Sequence, residues 1–169
     1  QIPTALDDVF FDASSFTGPG QKVILNPLTI FVHSMNWTGV TNNPGMSGPA
    51  ANLLKVYGSL IFSPSMNMSF SGSIDFESTT PGQIITTAGK VINNSIQFNG
   101  IGGEWTLQDD ITVSGSLNLT SGTFNSNNHT VTIARFNSSP TSASPRALNM
   151  GSSVFNIITA VGIGWSING

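Results

Sequence analysis

The chain of 169 residues has no cysteine, few charges and little of what favours helices. Without cysteine, disulfides and thiolate-bound metals are excluded, while the cellular compartment stays open. Five basic and eight acidic residues make charged side chains 8% of the chain, against about 25% in an average soluble domain. No basic run exists to track a phosphate backbone, which argues against nucleic acid as a partner. The most apolar segment, Val154 to Trp165, is about half of what a membrane-spanning helix needs. No charged-then-apolar leader opens at Gln1.

Hydroxyls and amides take the place of charge. Ser (23), Thr (17) and Asn (17) together form about a third of the chain, while hydrophobic residues reach only 38%. Apolar spacing of three and four is hard to find, and Glu, Lys, Arg and Gln are scarce. Alternation is everywhere instead. In "ITVSGSLNLTSGTFNSNNHTVTI", Ile111, Val113, Leu117 and Leu119 share one parity, and Gly115 lies among them. Ser121-Gly122 shifts the register, Asn125 to Asn128 reads as a turn, and Val131 and Ile133 resume.

A phrase recurs: apolar, x, Gly, x, apolar, x, apolar. It occurs from Val56 to Phe62, from Phe70 to Phe76 and from Val113 to Leu119, with a degenerate copy around Gly89 and a blurred one around Gly151. The glycines are separated by 14, 17, 26 and 36 residues, too irregular for a strict short-period repeat. Short strands with small residues between apolar ones suit a right-handed parallel β-helix of uneven coils, since each coil buries one face against its neighbours. Asn and Gly at the corners take left-handed backbone at little cost. A β-sandwich shares the alternation and is the alternative fold.

The N-terminal third differs in texture. "LDDVFFD" holds three of the eight acids, and "TGVTNNPGMSGPAAN" (Thr38 to Asn52) is the longest loop-like stretch. Residues 1–52 are therefore expected to form a first coil or cap with a protruding loop, and residues 53–169 the regular coils. "AVGIGWSING" stops in mid-pattern, and a solenoid needs a polar end cap. The coils are expected to continue beyond Gly169.

"DDVFFDASSFT", "MNWTGVTNNP", "VYGSLIF" and the stretch from Pro81 to Ile133 together resemble a repeat of very large secreted surface proteins of Bacteroidota. Those are gliding and attachment adhesins exported by the type IX route. The resemblance covers most of the chain and marks architecture. It implies a β-helical module, an extracellular location at the cell surface, and adjacent modules in the same chain as partners. It supplies no functional residue.

Chemistry is sparse in the residues themselves. Gly100-Ile101-Gly102-Gly103 lacks a following helix and a Lys-Ser/Thr ending, so it suits a corner better than a phosphate cradle. His33 and His129 have no HExxH spacing, and no G-x-S-x-G occurs. Six N-x-S/T triplets, at Asn36, Asn67, Asn93, Asn118, Asn128 and Asn137, are what chance gives in such a composition.

Carboxylates are the serious candidates, because sugar chemistry on a β-helix needs acids converging in one cleft. Asp75 and Glu77 share strand parity and are expected to point outward together, near Lys90 or Arg135 of a stacked coil. Glu104 with Asp109 and Asp110 is the second carboxylate group weighed for such a cleft. Calcium is the one cofactor worth weighing: weak candidate ligands are Asp7, Asp8 and Asp12, and Asp109 with Asp110, each set needing further oxygens from neighbouring loops. Of Trp37, Trp105, Trp165 and Tyr57, Trp37 borders the long loop and is the best candidate for an exposed ring that stacks on sugar.

Two functions are weighed. The first is a non-catalytic structural and adhesive module, a stalk or contact segment meeting surface polysaccharide or other cell-surface components. The second is a carbohydrate-binding or carbohydrate-active β-helix, which a groove built from 13 charged residues hardly supports. A threonine ladder for ice, suggested by Thr130-x-Thr132, fails because Thr does not recur at one position of every coil.

Overall fold

The computed structural model describes residues 2–139, 144–159 and 161–168. Among these residues there are 17 strands and no helix, and every strand pairing is parallel. The chain winds as a β-solenoid of about 7 turns. Among the described residues no two antiparallel sheets face each other, and the sandwich alternative is overturned.

Each turn contributes to three faces. The first carries Val9–Phe10, Met35–Asn36, Leu60–Ile61, Gln83–Thr86, the later part of Ile96–Leu107, the end of Ile111–Asn125, and Arg146–Asn149. The second carries Lys22–Ile24, Gly45–Gly48 and Asn67–Phe70 as one ladder. Val91–Ile92, the start of Ile111–Asn125, the start of Val131–Ser138 and Phe155–Ile157 form another.

The third face is the most continuous. Thr29–Val32, Leu53–Val56, Ser73–Phe76, the start of Ile96–Leu107, the middle of Ile111–Asn125, the end of Val131–Ser138 and Trp165–Ile167 follow one another. Its inward positions line up as Ile30, Leu54, Ile74, Ile96, Leu117, Phe136 and Trp165. From one rung to the next the chain advances between 19 residues (Leu117 to Phe136) and 29 (Phe136 to Trp165). Alternation drives this arrangement: residues of one parity fill the interior and the other parity meets water.

Aromatic rings reinforce the middle coils. Phe76 stacks on Phe98 with ring centres 5.0 Å apart, Phe98 on Phe124 at 4.7 Å, and Trp105 tilts against Phe98 at 5.3 Å. All four are fully buried. Such offset pairs add about 1 kcal/mol each to the burial of their area.

The recurring glycines stand at corners, and at different ones. Gly58 joins the third face to the first, Gly72 and Gly115 join the second to the third, and Gly89 leaves the first with φ +72°. This explains their uneven spacing. A Cβ on Gly72 would lie 2.2 Å from the carbonyl oxygen of Asn52 one turn earlier, so only glycine lets the coils close up there. Asn42, Asn43, Asn127 and Asn128 take left-handed backbone at the same corner as Gly89, between the first and second faces, in other turns, as the Asn-rich turns suggested.

The N-terminal third is more regular than its texture suggests. The stretch expected as a protruding loop contains the rung Gly45–Gly48, with Met46 fully buried. Alternation there is carried by Met between glycines, which hides it. In "AVGIGWSING", Ala160 and Gly169 lie outside the described residues.

Candidate functional site

The outward row of the third face is the most ordered polar surface. Phe31, Lys55, Asp75, Gln97, Asn118, Asn137 and Ser166 occupy equivalent positions on successive rungs. Adjacent strands are ~4.8 Å apart, so neighbouring side chains of the row lie within reach of one another. Asn137 Nδ2 donates to Asn118 Oδ1 at 3.0 Å. Gln97, between Asp75 and Asn118, makes no side-chain hydrogen bond.

At one end of this row three ionisable groups meet. Asp75 and Glu77 do point outward together, each half-buried. Their basic partner is Lys55 of the preceding rung, whose Nζ donates to Glu77 Oε1 at 2.7 Å. Neither of the expected partners is involved. Lys90 Nζ donates to the carbonyl of Pro64, and Arg135 to that of Val161, because both side chains leave the coil at other corners. The hydrogen bond to Glu77 holds the Lys55 ammonium above its ordinary value. Asp75 has no hydrogen-bond partner; burial, with the charge of Glu77 beside it, pushes its carboxyl up to about 6. A carboxyl and an amine are thus held on neighbouring strands next to a second carboxylate.

The candidate calcium ligands do not converge. Asp7 accepts from the amide and hydroxyl of Thr4, Asp12 from the amide of Ser14 and the hydroxyl of Ser15. Asp8 accepts from His33 Nδ1 at 2.7 Å and the amide of Ser34. In each case the first of these side-chain bonds holds the carboxyl below the ordinary range, from Thr4, Ser15 and His33 respectively. Asp109 and Asp110 do bind backbone amides, but of neighbouring coils and not of their own turn. Asp109 accepts from Thr87 and Ala88 one coil back, and Asp110 from Thr130 one coil on. Among the described residues no three His, Asp or Glu are grouped to hold a metal ion.

Asp8, His33 and Ser34 are adjacent but do not form a nucleophilic relay. Ser34 Oγ lies 3.4 Å from the same nitrogen, Nδ1, that faces Asp8. A relay needs the hydroxyl on the opposite nitrogen. Ser34 Oγ also accepts from the amide of Ser59 on the next coil, a bond between rungs.

Trp37 is not an exposed platform. It is fully buried, with Phe11 at 4.0 Å and Phe16 at 5.8 Å between ring centres. Phe11 and Phe16 of the preceding turn cover it. Gly100 and Gly103 are a corner, pressed against the carbonyl of Ser78. At the N-terminal end a cavity of about 570 Å³ is lined by Val9, Phe10, Val23, Ile24 and Ile30 with Asp7 and Asp8 at its rim; it brings no convergent polar groups.

No protein family, curated protein or solved structure matches the chain. Lys55 is the site residue that sequence reasoning passed over. Only its outward parity was legible: "LLKV" and "SIDF" each place one polar residue, Lys55 or Asp75, between two buried ones, and the register that pairs them comes from the fold.

Proposed function

We propose that this chain is a non-catalytic structural and adhesive module of an extracellular surface protein, serving as stalk or contact segment. The observation that carries this reading is the unbroken inward ladder from Ile30 to Trp165. A continuous apolar spine, worth ~25 cal/mol per Å² buried, makes a rod whose turns support one another. Its outward row from Gln97 through Asn118 and Asn137 to Ser166 repeats once per strand at ~4.8 Å. That spacing is close to the length of one sugar ring, so a neutral polysaccharide lying along the axis meets one amide or hydroxyl per residue.

No helix among the described residues is long and apolar enough to cross a membrane. The test has two arms. Antibodies against the chain are expected to label intact cells that make the parent protein; label only after permeabilisation overturns the location. Beads coated with the chain are expected to be retained on polysaccharide-coated surfaces. Retention no greater than with uncoated beads, on every glycan and on whole cells, overturns the adhesive role.

A further inference from the structure

We propose that Lys55 and Asp75 become joined by an amide bond between Lys55 Nζ and Asp75 Cγ, with Glu77 moving the protons. The inference stands on the placement of three side chains and is independent of the surface role. Lys55 and Asp75 are register partners on adjacent parallel strands, both facing outward. Glu77 follows Asp75 by two residues and so lies on the same side. Its Oε1 is 2.7 Å from Lys55 Nζ, and the two side chains are only 13% and 26% exposed.

Each group has the role the condensation needs. Burial raises the Asp75 carboxyl to about 6, so near pH 6 about half of it is the neutral acid, the form that loses hydroxide as water. It has no competing hydrogen bond. Lys55 carries a proton it must lose before attacking, and Glu77 is in contact to take it. The neutral amine then attacks Cγ of Asp75, and the C–O bond to the departing hydroxyl breaks. Of the two protons the nitrogen gives up, one leaves with that hydroxyl as water. The other stays on Glu77. No oxidant or co-reactant is required; Lys55 Nζ, which rests on Glu77, swings to Asp75 on the neighbouring strand for the attack, and holding both on paired strands replaces a bimolecular encounter. The product closes the loop from residue 55 to 75 and ties two turns of the rod covalently.

Intact-mass measurement of the purified chain after incubation near pH 6 tests the proposal. The expected mass is that of the sequence less one water, and fragmentation joins the peptide holding Lys55 to that holding Asp75. Lys55→Met and Glu77→Gln are expected to show the full mass with unchanged circular dichroism. Asp75→Asn is expected to lose one ammonia in place of water. A full mass in the native chain overturns the proposal. So does a water loss that survives Lys55→Met, or a link mapped to Glu77.

Discussion

Asp109 accepts hydrogen bonds from two consecutive backbone amides of the coil before it, Thr87 at 2.8 Å and Ala88 at 2.5 Å. Ala88 has φ +52°, a left-handed conformation unusual for alanine, and the carboxylate holds it there. Asp110 reaches the other way, to Thr130. One dipeptide therefore clasps three turns. Asp109→Ala is expected to cost about 2–3 kcal/mol, because two charge-assisted bonds go and two amides lose their partner. Urea unfolding measures it, and a loss below about 0.5 kcal/mol would show the clasp to be idle. A chelator is expected to leave the melting temperature unchanged, since the amides occupy these carboxylate oxygens.

Gly100 shows how closely the turns approach. A Cβ there would sit 1.7 Å from the carbonyl oxygen of Ser78 and 3.0 Å from the backbone of Glu77. Neither neighbour is a flexible side chain, so the backbone itself must move. Gly100→Ala is expected to destabilise by more than about 3 kcal/mol, at or above the usual range for overpacking. Gly18, with nothing within 4 Å of an added Cβ, is the control: Gly18→Ala is expected to be neutral within about 0.5 kcal/mol. Equal melting temperatures for the two variants would contradict the packing described.

What was legible in the sequence followed from alternation. Ile111, Val113, Leu117 and Leu119 are all buried, and their spacing alone gave a strand with one inward face. The outward pairing of Asp75 and Glu77 came from the same parity rule. Pairing between turns was not legible, because the rungs are 19 to 29 residues apart and no local signal says which residue stacks on which. That is why Lys55 was missed beside Asp75. Trp37 failed for a different reason. Its neighbours look like a loop, and only the fold shows Phe11 arriving on it.

Trp37 is buried among Phe11 and Phe16, yet its indole Nε1 has no hydrogen-bond partner. Trp37→Ala is therefore expected to cost about 3–5 kcal/mol, the usual range for a buried large aromatic. Trp37→Phe removes an unsatisfied donor as well as some volume, and the two effects oppose each other. It is expected to cost about 1 kcal/mol. A Phe variant as unstable as the Ala variant would mean that the indole nitrogen is paired in solution. Soluble glycans are expected to leave the Trp37 contribution to fluorescence unchanged.

Asp75 makes stability depend on pH in a chain where Lys55→Met prevents any bond to it. Its carboxyl titrates near 6 in the folded chain, against 3.8 for an ordinary aspartate. The folded state thus binds the proton more tightly, and the contribution of this group to stability grows as pH falls from above 6 to below 3.8. Removing Lys55 takes away the one neighbour that lowers the value, so the upward shift persists in that background. Adding Asp75→Asn deletes the titration. At about pH 8 the double variant is expected to be more stable than Lys55→Met alone by about 1 kcal/mol, after allowance for solvent screening. Towards about pH 4 the advantage is expected to vanish, because the aspartate is then neutral in the fold. Denaturant midpoints across this range measure the difference, and a gap that stays constant with pH would place the Asp75 carboxyl in water, free of the environment described here.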